Sequence, residues 1–214
     1  MRLVITLALL LGIHGLRAGG TALAEPAEPS SVVGGGCDGC ALIFEGMPAV
    51  LRWETAIADS TEAGEPMEIS GTIYQRDGKT PAKDVILYVY HTDARGLYSP
   101  APGQTLGRRH GHLRGWMRTG ADGRYRFKTI RPAPYPNARI PAHVHPLIKE
   151  ANKNEYWIDE YVFDDDKFLT QSERKKCENR GGSGIITLTK NASGVWIGHR
   201  DIVLGLNIPN YPLQ

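Results

Sequence analysis

From Met67 onward the chain is a succession of short apolar runs, each ended by turn formers before it reaches ordinary helix length. MEISGTIY, VILYVYH, LRGWMRT and RYRFKT come first, with Asp77-Gly78 and Asp122-Gly123 between them as turn signals. AHVHPLIK, YWIDEYVF, GIITLTK, GVWIG and DIVLGL follow, making nine strand candidates rich in β-branched and aromatic residues. Arg124-Tyr125-Arg126-Phe127-Lys128 alternates polar and apolar, as a half-buried strand does. After Met67 one helix is predicted, near Thr170–Glu178, and before it a short helix near Ala41–Glu45. Many short strands with frequent turns indicate an all-β sandwich, and no internal repeat divides it. With 41% hydrophobic and 22% charged residues, the chain is neither wholly disordered nor a multi-span membrane protein.

The first segment reads as an address. Arg2 precedes LVITLALLLGIHGL, and Ala22-Leu23-Ala24 follows, the pattern of a secretory signal peptide cut after Ala24. The apolar run has 14 residues, short of the roughly 20 that span a bilayer. A secreted or periplasmic protein with no stable membrane insertion is expected. The formal charge of +2 comes from Arg2 and Arg17, since the rest of the chain balances. A neutral body gives no electrostatic reason to propose nucleic acid as partner.

Residues 25–66 are expected to form a flexible arm and linker, with EPAEPSSVVGGG as its Pro/Ser/Gly start, and residues 67–214 the β-sandwich domain. Cys37, Cys40 and Cys177 are the only cysteines. An oxidising compartment favours disulfides. A staple from Cys177 to Cys37 or Cys40 is expected, the choice between the two being left open by the sequence.

Pro141-Ala142-His143-Val144-His145 is the sharpest chemical feature. On a strand, residues two apart share a face, so both imidazoles can aim at one centre while Val144 points away. Imidazole suits Zn, Cu, Fe and Ni. Tyr135 stands in the Pro-rich Arg131–Pro136 segment, and Tyr98 in a turn after the strand that ends at His91. A phenol with pKa near ~10 must lose its proton to bind a metal, and a highly charged, hard cation such as Fe(III) can make it do so. His110-Gly111-His112 is a second His-x-His beside Arg108 and Arg109, read as a loop, a weaker metal candidate and a cationic rim. His91 is read as packing or a polar support, and Trp53, Trp116, Trp157 and Trp196 as core or pocket wall.

These residues together resemble a family. HTDARGLYS, LRGWMRTGADGRYRFKTIRPAPYP and IPAHVH, in that order, are similar to the core of the intradiol ring-cleavage dioxygenases, over about residues 67–168. The resemblance implies a β-sandwich of transthyretin-like topology. It implies non-haem Fe(III) as cofactor, held by Tyr98, Tyr135, His143 and His145, with Tyr135 released when substrate chelates. It implies a catechol-type substrate and O2 as partners, with both oxygen atoms inserted to give a muconate-type diacid. Tyr98 and Tyr135 are then the catalytic tyrosines.

Two departures accompany the resemblance. The place before Pro141, often Arg in that family, is Ile140. Arg139 is carried as a catalytic candidate in its stead, although a one-residue offset on an extended segment aims it at the opposite face. The family's helical dimerisation arm is missing, as in its secreted single-domain branch. Glu160 lines up with a polar residue supporting the ligands. The competing readings are a non-catalytic transthyretin-like or peptidase-associated module, and a sandwich holding Zn or Cu. The first needs no pair of histidines on one face, and the second needs Cys or carboxylate ligands near His143.

Overall fold

The computed structural model describes residues 32–212. The leader expected at 1–24 lies outside the described residues. Among those described, no helix is long and apolar enough to cross a membrane.

Twelve short strands make two mixed sheets among the described residues. The first runs β1 (Glu54–Ala56), β5 (Arg124–Ile130), β2 (Pro66–Tyr74), β11 (Trp196–His199), β10 (Thr189–Lys190), with β12 (Ile202–Val203) also on β2. The second runs β4 (Arg114–Arg118), β3 (Ile86–His91), β6 (His143–Lys149), β8 (Tyr161–Phe163), β9 (Ile185–Ile186), with β7 (Tyr156–Trp157) also on β6. The expected all-β sandwich is what the chain forms. The predicted helix is α1 (Gln171–Lys176), its first turn capped by Thr170, whose hydroxyl accepts the Glu173 amide at 3.3 Å.

Strand alternation builds the core. On β2, Met67, Ile69 and Ile73 point inward while their neighbours are half-exposed. From the second sheet Leu87, Val89, Val144, Tyr161 and Phe163 meet them in one cluster, with Phe127 edge-on to Tyr161. Burying a side chain of this size stabilises by roughly 1.5–3 kcal/mol. Gly71 stands where β2 passes closest to Arg200: a Cβ there would lie 1.8 Å from the Arg200 carbonyl oxygen.

β3 explains the apolar run VILYVYH. It is buried on both faces, Leu87 and Val89 toward the sandwich and Ile86 and Tyr88 away from it. The outer face is covered by Cys40 and Ile43, from a 3-10 turn at Cys40–Phe44. This corrects the expectation of a flexible arm for its described part. Residues near 40–51 cover the second sheet, and β1 pairs with β5. Sequence periodicity did not show that the outer face needed a lid.

The expected staple is also corrected. Cys37 is bonded to Cys40, with Cα atoms 5.7 Å apart, and Cys177 is free. Gly39, at φ +81°, makes the tight turn that brings the two cysteines together, while Cys177 caps the end of α1.

Candidate metal centre

β6 presents the site. Val144 faces the core, completely buried, and His143 and His145 share the opposite face. Two loops bring the tyrosines to them. Asp93 organises the first: its carboxylate accepts from the amides of Arg95 and Leu97, from the Arg95 guanidinium and from the Ser99 hydroxyl. Burial works to raise this carboxyl, but the Arg95, Leu97 and Ser99 donors outweigh it and hold it at about 2. The second is the Pro-rich segment of Tyr135. Gly96, at φ +79°, lets the loops touch, since a Cβ there would lie 2.2 Å from the Pro134 carbonyl oxygen.

Four donor atoms converge as a result. Tyr98 Oη lies 2.8 Å from Tyr135 Oη and 2.8 Å from His145 Nε2. Tyr135 Oη is 3.2 Å from His143 Nε2, and the two Nε2 atoms are 3.1 Å apart. The other ring nitrogens fix the orientation. His143 Nδ1 is 2.7 Å from the Pro141 carbonyl oxygen, so it carries the proton and Nε2 offers its lone pair to the centre. His145 Nδ1 faces Glu160 Oε1 at 3.0 Å. A ligating histidine characteristically donates its second N–H in this way. All four expected ligands are thus brought together.

The donor chemistry fits a hard, highly charged cation. Burial pushes both phenols up, Tyr98 further through its hydrogen bond to Tyr135, so neither ionises unaided near neutrality. Burial also lowers the basicity of His143, which favours the neutral imidazole that a metal needs. Two oxygen anions with two imidazoles suit Fe(III). His143, His145 and Glu160 also form a compact triad, with one ligand atom of each within 4.8 Å of the others. Glu160 nevertheless meets Nδ1 of His145, not the nitrogen that meets Tyr98, so it belongs outside the donor ring. Burial would raise its carboxyl, but the hydrogen bond with His145 and both imidazoles hold it below the usual carboxylate range.

A cavity of about 430 Å³ borders the two imidazole donors and Glu160 but neither tyrosine, and is walled in part by Tyr90, Ile140, Leu147 and Trp157. Arg139 is not on its wall. The offset sends its guanidinium over Phe168, 5.7 Å from the ring centroid, and Ile140 takes the lining position. The second His-x-His does not converge on a centre. His110 is buried, its Nδ1 bonded to the Tyr88 hydroxyl at 2.9 Å, while His112 joins Glu62 at 2.8 Å. Nor does it rim the cavity, whose lining includes none of Arg108, Arg109, His110 and His112, and Arg109 forks onto Asp38. His91, read as packing or a polar support, is buried and bonded to the Thr92 carbonyl at 2.8 Å and to Thr129 Oγ1 at 2.6 Å.

Tyr90 was not anticipated. It lies opposite His145 in the β3–β6 register and stacks between two imidazoles, 4.6 Å from His145 and 3.6 Å from His110. Only the strand pairing reveals it, since nothing in VILYVYH distinguishes Tyr90 from Tyr88. Of the tryptophans, Trp157 lines the cavity and Trp116 packs on Tyr88.

Comparison with known proteins adds an independent line. A family profile described as "Dioxygenase" matches residues 49–180, more than half of the chain. Catechol 1,2-dioxygenase 1 of Acinetobacter lwoffii is 27% identical over 151 residues, covering 58% of this chain and 47% of its own. The protocatechuate 3,4-dioxygenase beta chain of Burkholderia cepacia is 30% identical over 105 residues, covering 43% and 42%. The chain therefore spans less than half the length of these curated relatives. Among solved structures, the dioxygenase domain of a carbohydrate-binding fusion from Streptomyces sp. SirexAA-E aligns with TM-score 0.55 and 22% identity, over 74% of this chain and 91% of that one. Catechol 1,2-dioxygenase from Pseudomonas arvilla C-1 aligns with TM-score 0.55 and 22% identity, over 72% and 58%.

Proposed function

The chain belongs to the intradiol ring-cleavage dioxygenases, and on that footing we propose that it cleaves a catechol-type aromatic with O2, giving a muconate-type diacid. The observation that supports this most is the ring of four donors, with neighbouring atoms 2.8–3.2 Å apart. Tyr98, Tyr135, His143 and His145 would hold Fe(III). Bound there, the ion would supply a Lewis acid for the catechol oxygens and a route for ring electron density toward O2.

The chain's own residues do the rest. Glu160 and the Pro141 carbonyl fix the two imidazoles before substrate arrives, so little reorganisation is left to the reaction. Tyr135 is the proposed local base. As a phenolate with a high intrinsic proton affinity, it takes one of the two catechol protons at its Oη. Tyr98 stays beside His145 and holds its end of the donor ring. Leu147 and Trp157 confine the aromatic ring and exclude water from its face.

A non-catalytic transthyretin-like module is the weaker reading, because such a module has no use for four converging donors. Action outside the cytoplasm is proposed as well, supported by the Cys37–Cys40 disulfide. The test is oxygen uptake with catechol by iron-loaded protein, followed by product mass. Uptake of one O2 per catechol, with both atoms in a ring-opened diacid, supports the proposal. An iron-loaded protein that leaves every catechol intact refutes it.

A further inference from the structure

The cavity beside His143 and His145 carries an excess of negative charge. Five carboxylates border it, Asp38, Asp159, Glu160, Glu173 and Glu178, against one ammonium, Lys176. Two of the five are paired with cations, and a third has both oxygens taken by neutral amides. Arg109 forks onto Asp38, Lys176 Nζ lies 2.6 Å from Glu173 Oε1, and Asp159 takes the amides of Asn179 and Arg180. Glu160 and Glu178 are left. One Glu160 oxygen meets His145, and the other has no protein donor among the described residues. The Glu178 side chain is exposed and has no partner among the described residues.

Nothing on the lining balances these two charges. Arg139 lies over Phe168, and the wall position beside it is Ile140, an apolar side chain 43% exposed. A carboxylated ring in this cavity would meet an excess of carboxylates, with Lys176 as the one lining ammonium and that already paired to Glu173. An ammonium on the same ring would meet two carboxylates with free acceptor capacity. Both carboxylates are largely exposed, so the preference is a screened one that salt should weaken.

We propose that the cavity ranks catechols by the charge of their ring substituent, cationic above neutral above anionic, with Ile140, Glu160 and Glu178 setting that order. This rests on the catechol-cleaving reading of the site and narrows it to a substrate class.

The test uses three probes that share a ring and a one-carbon substituent: 3,4-dihydroxybenzylamine, 4-methylcatechol and protocatechuate. Binding to the iron-loaded protein is measured without oxygen by calorimetry, at low salt and at about 0.5 M salt, and kcat/KM is measured in air. The amine should bind at least about fivefold tighter than 4-methylcatechol at low salt, the size of one partly screened charge contact. Protocatechuate should bind at least about fivefold more weakly than 4-methylcatechol. High salt should compress both ratios. Glu178→Gln should reduce the preference for the amine, and Ile140→Arg should raise protocatechuate relative to 4-methylcatechol by about tenfold. Both positions are exposed, so the variants should fold, and ratios within one variant cancel losses common to all probes. Protocatechuate binding as tightly as 4-methylcatechol to the unaltered protein, or ratios unmoved by both substitutions, would overturn the proposal. Binding of none of the three would remove the catechol reading itself, and this one with it, which separates the two failures.

Discussion

The Glu160 carboxylate lies 3.0 Å from Nδ1 of His145, across the imidazole from the nitrogen that meets Tyr98. One side chain thereby sets the tautomer of His145 and adds negative charge behind it. Glu160→Gln keeps the shape and removes the charge. Iron affinity should fall by about 10- to 100-fold, the usual effect of losing a partner behind a metal ligand. Competition against a chelator of known affinity measures it, and unchanged affinity would place Glu160 outside the metal's support.

Gly96 is where the two tyrosine loops touch. In Gly96→Ala the new methyl would sit 2.2 Å from the Pro134 carbonyl oxygen, at φ +79°. The loops must separate, at a cost of at least about 2 kcal/mol from strain and displaced packing. Urea unfolding should show that loss, and the separated tyrosines should bind iron less well. An alanine variant of full stability and full iron content would contradict this account of the turn.

Asp93 gives the first loop a dependence on acid. Its carboxyl titrates at about 2 in the fold and near ~3.9 in an unfolded chain. Its contribution is complete above the unfolded value and is lost as pH falls toward 2. The shift corresponds to roughly 2 kcal/mol. Asp93→Asn should therefore be less stable than the unaltered protein at pH 7 and at pH 5, with the gap closing as the pH falls below about 3. A gap of constant size across that range would show that the carboxylate's charge is not what holds the turn.

Cys37 and Cys40 close a loop of only a few residues. In the chain-entropy model so short a loop stabilises by about 2 kcal/mol, less than half of what a staple to Cys177 would give. Native, unreduced protein should take up one alkyl group, on Cys177, and Cys37→Ser with Cys40→Ser should lower stability by no more than that amount. Peptide mapping that finds Cys177 in a disulfide would contradict the arrangement.

Much of the sandwich and the His143/His145 pair were legible in the sequence for physical reasons, whereas Tyr98 and Tyr135 were singled out by the family resemblance. Period-two alternation in Arg124–Lys128 marks a half-buried strand wherever it occurs. His143 and His145 share a face for the same reason, and β6 carries them as that rule requires. Arg139 was aimed away by the same parity, and it is found over Phe168. What stayed hidden depends on contacts between distant segments. Nothing local shows that Cys40 and Ile43 cover the outer face of β3, so residues 32–66 looked like linker. Nothing local separates Tyr90, stacked between His110 and His145, from Tyr88, bonded to His110. The cysteine pairing failed because compartment and parity of number do not set geometry, whereas a glycine at φ +81° between Cys37 and Cys40 does.

The central claim is that two tyrosine oxygens and two imidazoles hold one ferric ion. The visible spectrum of the purified protein, taken with its metal content, tests it most directly. Phenolate donation to Fe(III) permits charge transfer, so the protein should be red-brown with about one iron per chain. The iron-loaded Tyr98→Phe/Tyr135→Phe double variant, which keeps both rings and removes both donor oxygens, should lose that colour. A colourless protein carrying stoichiometric zinc, or a double variant that keeps its iron and its full colour, would contradict the account.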